Sequence, residues 1–232
     1  MKALILAAGL GNRMRPLTDH TPKPLLQVGG KPIIEYHLEK LQRAGVKQVV
    51  INLAYLGEKI RGHLGDGSRF GLEICYSPEP EPLETGGAIL HAADLLGNSP
   101  FLLINGDVWC DLDLGKFSRH CPEQAGALGH LLLVPNPDFH PQGDFTLGQN
   151  GLLLDILDSK LPRFTFSGIS YLHPELVKAY PGKRQKFPLV EAFRHAITNG
   201  WLTGEVHHGS WSDLGTPERL SALDRKLEAK GL

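Results

Sequence analysis

Gly9 and Gly11 lie in a run of small residues, Ala7-Ala8-Gly9-Leu10-Gly11-Asn12, and three cations follow at Arg13, Arg15 and Lys23. Small residues let backbone N–H groups close on an anion, and nearby cations supply the charge that a polyphosphate needs. Two aspartates stand further along. Asp107 follows the apolar run Phe101-Leu102-Leu103-Ile104 and the pair Asn105-Gly106, which places it at the carboxyl edge of a buried strand. Asp213 precedes Leu214-Gly215-Thr216-Pro217, a helix start, where an aspartate also suits a capping role.

Other chemistries meet obstacles. A dinucleotide fingerprint needs a third glycine where Met14 stands and an acid at the end of the second strand, where Asn52 stands. The Gly-Lys-Ser/Thr of a P-loop is missing. Asp111-Leu112-Asp113 has the Asp-x-Asp spacing of many metal-dependent glycosyltransferases, and equally that of a polar loop before a helix. Cys110, His120, Cys121, His207 and His208 lack the paired spacing of a zinc site.

These residues need a frame. The first half alternates strand-like and helix-like stretches: strands at 3–7, 49–53, 72–76 and 101–104, with helices from Pro32 to Gly45, at 58–64 and at 85–96. Four such units in succession predict an α/β fold with a doubly wound, mainly parallel sheet. Strands at 127–134, 151–157 and 164–172 follow without long helices, so part of the sheet is expected to be mixed. Helices are expected at 187–198 and 217–229. The Pro-rich turn Ser77–Pro82 reads as a stiff loop at a strand end, where ligands of open α/β sheets bind.

Composition bounds the partners. The chain has 232 residues and a formal net charge of −1, which gives no global attraction to nucleic acid or to anionic membrane. Three cysteines, an odd number, suit a reducing compartment, and no apolar run reaches the roughly 18 residues of a membrane span. The expectation is a cytoplasmic protein with one domain over residues 1–232, a monomer or homodimer.

The run Ala7-Ala8-Gly9-x-Gly11-x-Arg13-Met14-x-Pro16-Leu17-Thr18 with Pro22-Lys23-Pro24-Leu25 resembles the signature of the sugar-1-phosphate nucleotidyltransferase family. So do Glu84-Thr85-Gly86-Gly87-Ala88, Asn105-Gly106-Asp107 and Trp211-Ser212-Asp213-x-Gly215-Thr216-Pro217. Within that family the pattern is nearest to uridylyltransferases, and mannose-1-phosphate guanylyltransferases share much of it. The resemblance implies a Rossmann-like, GT-A-like catalytic domain without the C-terminal β-helix of larger members. It implies Mg²⁺-dependent reaction of a nucleoside triphosphate with a sugar 1-phosphate, giving a nucleotide sugar and pyrophosphate. A non-catalytic nucleotide-sugar sensor is the competing class, against which stand the retained Arg15, Lys23, Asp107 and Asp213.

Roles follow from the resemblance. Arg15, Lys23, Asp107 and Asp213 are the catalytic set, the two aspartates holding the metal. Ala7, Ala8, Gly9, Gly11, Asn12, Arg13, Glu79, Glu84, Thr85 and Gly86 face the nucleotide, with Gly86 and Gly87 admitting the base to main-chain amides. Asn105, Gly143, Asp144 and Lys160 face the sugar. For an acceptor with a carboxylate besides its phosphate, Lys160, Arg163 and Lys186 are the expected cations.

Overall fold

The computed structural model describes residues 1–119, 126–155 and 161–229. The chain runs through β1 (Lys2–Leu6), the short hairpin β2 (Gln27–Val28) and β3 (Lys31–Pro32), α1 (Ile33–Arg43), β4 (Gln48–Leu53), α2 (Gly57–Leu64), β5 (Glu73–Pro78), α3 (Glu84–His91), α4 (Ala93–Leu96) and β6 (Phe101–Asn105). Next come β7 (Val108–Cys110), α5 (Leu114–Phe117), β8 (Gly129–Val134), β9 (Phe145–Leu147), β10 (Leu153–Leu154) and β11 (Arg163–Leu172). The remaining elements are α6 (Glu175–Lys178), α7 (Leu189–Thr198), β12 (Leu202–Val206), β13 (Trp211–Asp213) and α8 (Pro217–Glu228).

A nine-stranded sheet has the path β10-β9-β11-β6-β1-β4-β5, with β8 and β12 branching from β11. β1 lies between β4 and β6, parallel to both, and β5 extends the parallel block. β11 turns the sheet mixed by running antiparallel to β6, β8 and β9, as the irregular second half of the sequence implies. Period-two alternation sorts the strand residues onto the two faces. Ala3, Ile5, Val49, Ile51, Leu102 and Ile104 pack with Ile34, Leu38 and Leu41 of α1, whereas Leu4, Val50, Phe101 and Leu103 face Phe193 and Ala196 of α7. A third cluster seats α8, through Leu223 and Leu227, against Met14, Val28, Ile33 and Trp109. No helix among the described residues is long and apolar enough to cross a membrane.

Local differences have local causes. The helix expected at 85–96 is two, because Ala92 leaves helical geometry at φ −87 and ψ 6. Pro188 is extended and caps α7, so that helix starts at Leu189 rather than at 187. The strand expected at 151–157 is the short β10, and the end of that stretch lies outside the described residues. β2, β3, β7, β9, β12 and β13 go unread in the sequence. Parallel pairing brings the ends of β1, β4, β5 and β6 to one edge, where Ala7, Asn52, Glu79 and Asp107 meet.

Candidate active site

Asn52, at the end of β4, laces this edge. Its Oδ1 accepts the Ala7 N–H at 2.6 Å and its Nδ2 donates to Glu79 Oε1 at 2.8 Å, while Glu79 Oε2 accepts the Leu83 N–H at 3.0 Å. An amide is needed here because it donates and accepts at once; a carboxylate at 52 would face that of Glu79. Beyond Ala7 the chain enters the glycine loop. Gly11 has φ +66, and a Cβ on it would lie 2.9 Å from Thr18 Cγ2, so glycine is required for this turn. The Gly11 carbonyl accepts the Met14 N–H and the Thr18 hydroxyl, both at 2.8 Å. The N–H groups of Gly9, Leu10 and Gly11 find no acceptor among the described residues, which leaves them for a ligand.

Lys23 is buried, and its Nζ lies 2.6 Å from Asp107 Oδ2. Gly106 lets the chain cross tightly over β1: its N–H donates to the Leu6 carbonyl, and a Cβ would sit 2.7 Å from that oxygen. Asp107 is joined to the second aspartate through the backbone. Its carbonyl accepts the Leu214 N–H at 2.9 Å, and Asp213 pairs with Val108 in the β7–β13 ladder. Beneath this turn, His37 of α1 is fully buried and bonds to the Val108 backbone; desolvation by burial drives its pKa down to about 4.

Asp213 Oδ1 is buried without a hydrogen-bond partner, and Oδ2 is 3.6 Å from Arg219 Nη1. A buried carboxylate oxygen left without a donor is costly unless something binds it. Together with Asp107 it offers the hard oxygen donors that suit Mg²⁺.

Three clefts meet at Asp107. A cleft of about 220 Å³ is lined by Ala7, Ala8, Gly9, Lys23, Asn52, Glu79, Glu84, Thr85 and Asn105 as well as Asp107. A second, of about 370 Å³, holds Arg13, Asn105, Asp107, His140, Asp144, Ser167, Asp213 and Arg219. The third follows the glycine loop through Gly9, Gly11, Asn12, Arg13, Lys23 and Gly215.

Several expected residues sit differently. Arg15 follows the short helical turn Asn12–Met14 in extended geometry, lines none of these clefts, and places Nε 3.4 Å from Asp19 Oδ1 at the surface. Gly86 lines none of these clefts. Its N–H donates to the Phe187 carbonyl at 2.9 Å and a Cβ there would overlap the Phe187 ring, so this glycine lets α3 pack against the chain before α7. Gly87 does the same against the Gln185 carbonyl. Glu79 lines the first cleft with both carboxylate oxygens engaged inside the protein.

On the sugar side, Asp144 uses both oxygens too, on His140 at 3.0 Å and on the Phe166 N–H at 2.8 Å. It therefore ties the chain before β9 to β11 while lining the second cleft. Gly143 is a turn residue at φ +60 whose Cβ would press on Asn136, and it lines none of these three clefts. Arg163 bonds to the Gln142 and Asp144 carbonyls, Lys186 is exposed and lines none of these clefts, and Lys160 lies outside the described residues.

The Asp-x-Asp pair is structural. Asp113 caps α5 by accepting the Lys116 N–H at 3.1 Å, and Asp111 holds His207 at 2.7 Å and the Ser210 N–H at 3.0 Å. The donor atoms of Cys110, Asp111 and His207 lie within 4.8 Å of one another, and burial pushes the Cys110 thiol up to about 11. A protonated thiol is no ligand for a hard cation.

Sequence reasoning missed several contributors to the second cleft. β11 slips register between Phe166 and Ser170, a bulge that sets Ser167 and Gly168 beside Asn105. Trp211 Nε1 fastens it by donating to the Ser167 carbonyl at 2.9 Å. Phe139 and Arg219 complete the second cleft, the arginine Cζ 4.1 Å from the ring centroid. A Ser-Gly pair inside a strand pattern signals the bulge; nothing local signals the arginine.

Residues 2–230 match a family model described as nucleotidyl transferase. The chain is 45% identical over 236 residues to an N-acetylmuramate alpha-1-phosphate uridylyltransferase of Neisseria meningitidis serogroup B, covering 95% of each chain. A protein of the same name from Caulobacter vibrioides is 31% identical, over 97% of this chain and 96% of its own. Among solved structures, a putative glucose-1-phosphate thymidylyltransferase from Bacillus anthracis superposes with a TM-score of 0.82 at 23% identity, over 97% of this chain and 94% of that one.

Proposed function

This chain belongs to the nucleotidyl transferase family, and we propose that it moves the uridylyl group of UTP onto a sugar 1-phosphate, with N-acetylmuramate α-1-phosphate the favoured acceptor. The product would be a UDP-sugar of peptidoglycan recycling, and residues 1–232 would act as one catalytic domain. The carrying observation is Asp107: three clefts share it, Lys23 grips it at 2.6 Å, and the unpartnered Asp213 carboxylate oxygen lies across one of them.

A phosphate monoester carries about −1.5 to −2 charge at pH 7, so the acceptor oxygen is a nucleophile without a general base. That oxygen forms a bond to the α-phosphorus of UTP. The bond from α-phosphorus to the bridging oxygen breaks, and its electron pair leaves with pyrophosphate. Approach of two polyanions is the obstacle, and positioned cations lower it. The free N–H groups of Gly9–Gly11 and the guanidinium of Arg13 serve the phosphates that leave. Lys23, held by Asp107, serves the α-phosphoryl group as a compact charge. Arg15 joins them by turning away from Asp19, an exposed contact that costs little to break. Asp107 and Asp213 would hold Mg²⁺, which when bound neutralises phosphate charge. Backbone groups around Glu84 and Thr85, with Asn105 toward the ribose or sugar, would line the nucleotide.

A matrix of nucleoside triphosphates against sugar 1-phosphates, scored by pyrophosphate release, tests the reading. UTP with N-acetylmuramate α-1-phosphate is expected to turn over fastest. Turnover with no pair would refute the enzyme, and turnover only with GTP and mannose 1-phosphate would refute the substrates. Asp213→Asn is expected to lower the rate at least about tenfold and raise the Mg²⁺ needed for half-activation, with unfolding unchanged; a normal rate removes Asp213 from the metal site.

A further inference from the structure

We propose that Arg219 binds an anionic group of the acceptor, an assignment that rests on the sugar-phosphate reading above. The backbone that carries it is fixed: Pro217 opens α8, and the Thr216 hydroxyl accepts the Arg219 N–H at 3.4 Å. The guanidinium lies over the Phe139 ring, 4.1 Å from its centroid. Stacking engages the face of the cation and leaves its N–H edge to act in plane. Gly215 makes room, because a Cβ at that position would overlap Nη2.

The donors on that edge are under-used. Nη1 is 3.6 Å from Asp213 Oδ2, longer than a hydrogen bond. Nε is buried and has no partner among the described residues, and the side chain is only 21% exposed. A permanently charged group held in one orientation, with unmatched donors, beside Asn105 and Asp107 in one cleft is a receptor for a fork of oxygens. Of the other cations expected near an acceptor, Arg163 is engaged by backbone carbonyls, Lys186 does not line this cleft, and Lys160 lies outside the described residues. An acceptor phosphate and a lactyl carboxylate present the same pair of oxygens, so the chemistry names an anion and experiment decides which.

The test is steady-state kinetics of Arg219→Met, which keeps the stem and removes the charge. The acceptor KM is expected to rise at least about tenfold while the UTP KM stays within about twofold, with Arg219→Lys in between. With N-acetylglucosamine 1-phosphate, which lacks the carboxylate, persistence of the penalty assigns the phosphate and its disappearance the carboxylate; either supports the proposal. An unchanged acceptor KM in a folded variant overturns it. So does a higher Mg²⁺ requirement at unchanged acceptor KM, which would make Arg219 a positioning residue for Asp213. If the wild type turned over no sugar 1-phosphate, the function would fall separately. Calorimetry with inorganic phosphate and with lactate would still judge Arg219: affinity for either anion lost in Arg219→Met supports it, and equal affinity for both refutes it.

Discussion

Between pH 7.5 and 5.0, acid should weaken this fold through His37. The imidazole is completely buried between α1 and the Asp107–Val108 turn, with its Nε2 unpartnered and its pKa driven to about 4, chiefly by desolvation and then by Lys40. The unfolded chain binds the proton near the ordinary value of about 6.5, so between these two pH values only the unfolded state gains charge. Stability is therefore complete above about pH 6.5 and falls as pH drops toward 4. A pKa lowered from about 6.5 to about 4 corresponds to about 3 kcal/mol in full, of which about 2 kcal/mol is lost between pH 7.5 and 5.0. Urea unfolding at those two pH values measures it. His37→Gln cannot take up the proton, so the loss between the two pH values should shrink by about 2 kcal/mol relative to the wild type. Equal losses in the two proteins would show that His37 is not the acid-sensitive group.

Two further substitutions probe the nucleotide side. Glu79→Gln replaces an acceptor by a donor in a chain whose ends, the Ala7 and Leu83 N–H groups, both donate inward, so one buried donor must lose its partner. The expected cost is about 1–3 kcal/mol in chemical denaturation, and an unchanged midpoint would mean that the carboxylate braces nothing. Glu84 lines the first cleft with φ at +60, a conformation that costs a side chain roughly 1–2 kcal/mol. Glu84→Gly should be neutral or stabilise by up to about 1 kcal/mol, after glycine's own entropy is subtracted, and should leave the UTP KM within about twofold. A clear loss of either quantity would assign the carboxylate a role in binding or packing.

What could be read from the sequence depended on the range of the interaction. The units β1–α1–β4 and β5–α3–β6 are legible because apolar period, a proline near α1's start and glycine breaks act within a few residues. Lys23, Asp107 and Asp213 were legible because family resemblance stores long-range geometry in short motifs, and the fold brings Lys23 onto Asp107 and pairs the strand of Asp213 beside it. The β11 bulge and the stacking of Arg219 on Phe139 come from pairings across 30 to 80 residues that no local pattern encodes. The glycines show why even a correct motif misleads about mechanism. Gly9 has open space where a Cβ would be and lines two clefts, as a residue beside a ligand should. Gly86 and Gly87 come from an equally recognisable motif, yet a Cβ on either would strike Phe187 or the Gln185 carbonyl. The same absence of a side chain thus serves access in one loop and packing in the other. The second use still matters for the site, because seating α3 on the chain before α7 sets where Glu84 and Thr85 meet the cleft: Thr85 Oγ1 accepts the Leu189 N–H at 2.8 Å, and both residues line it.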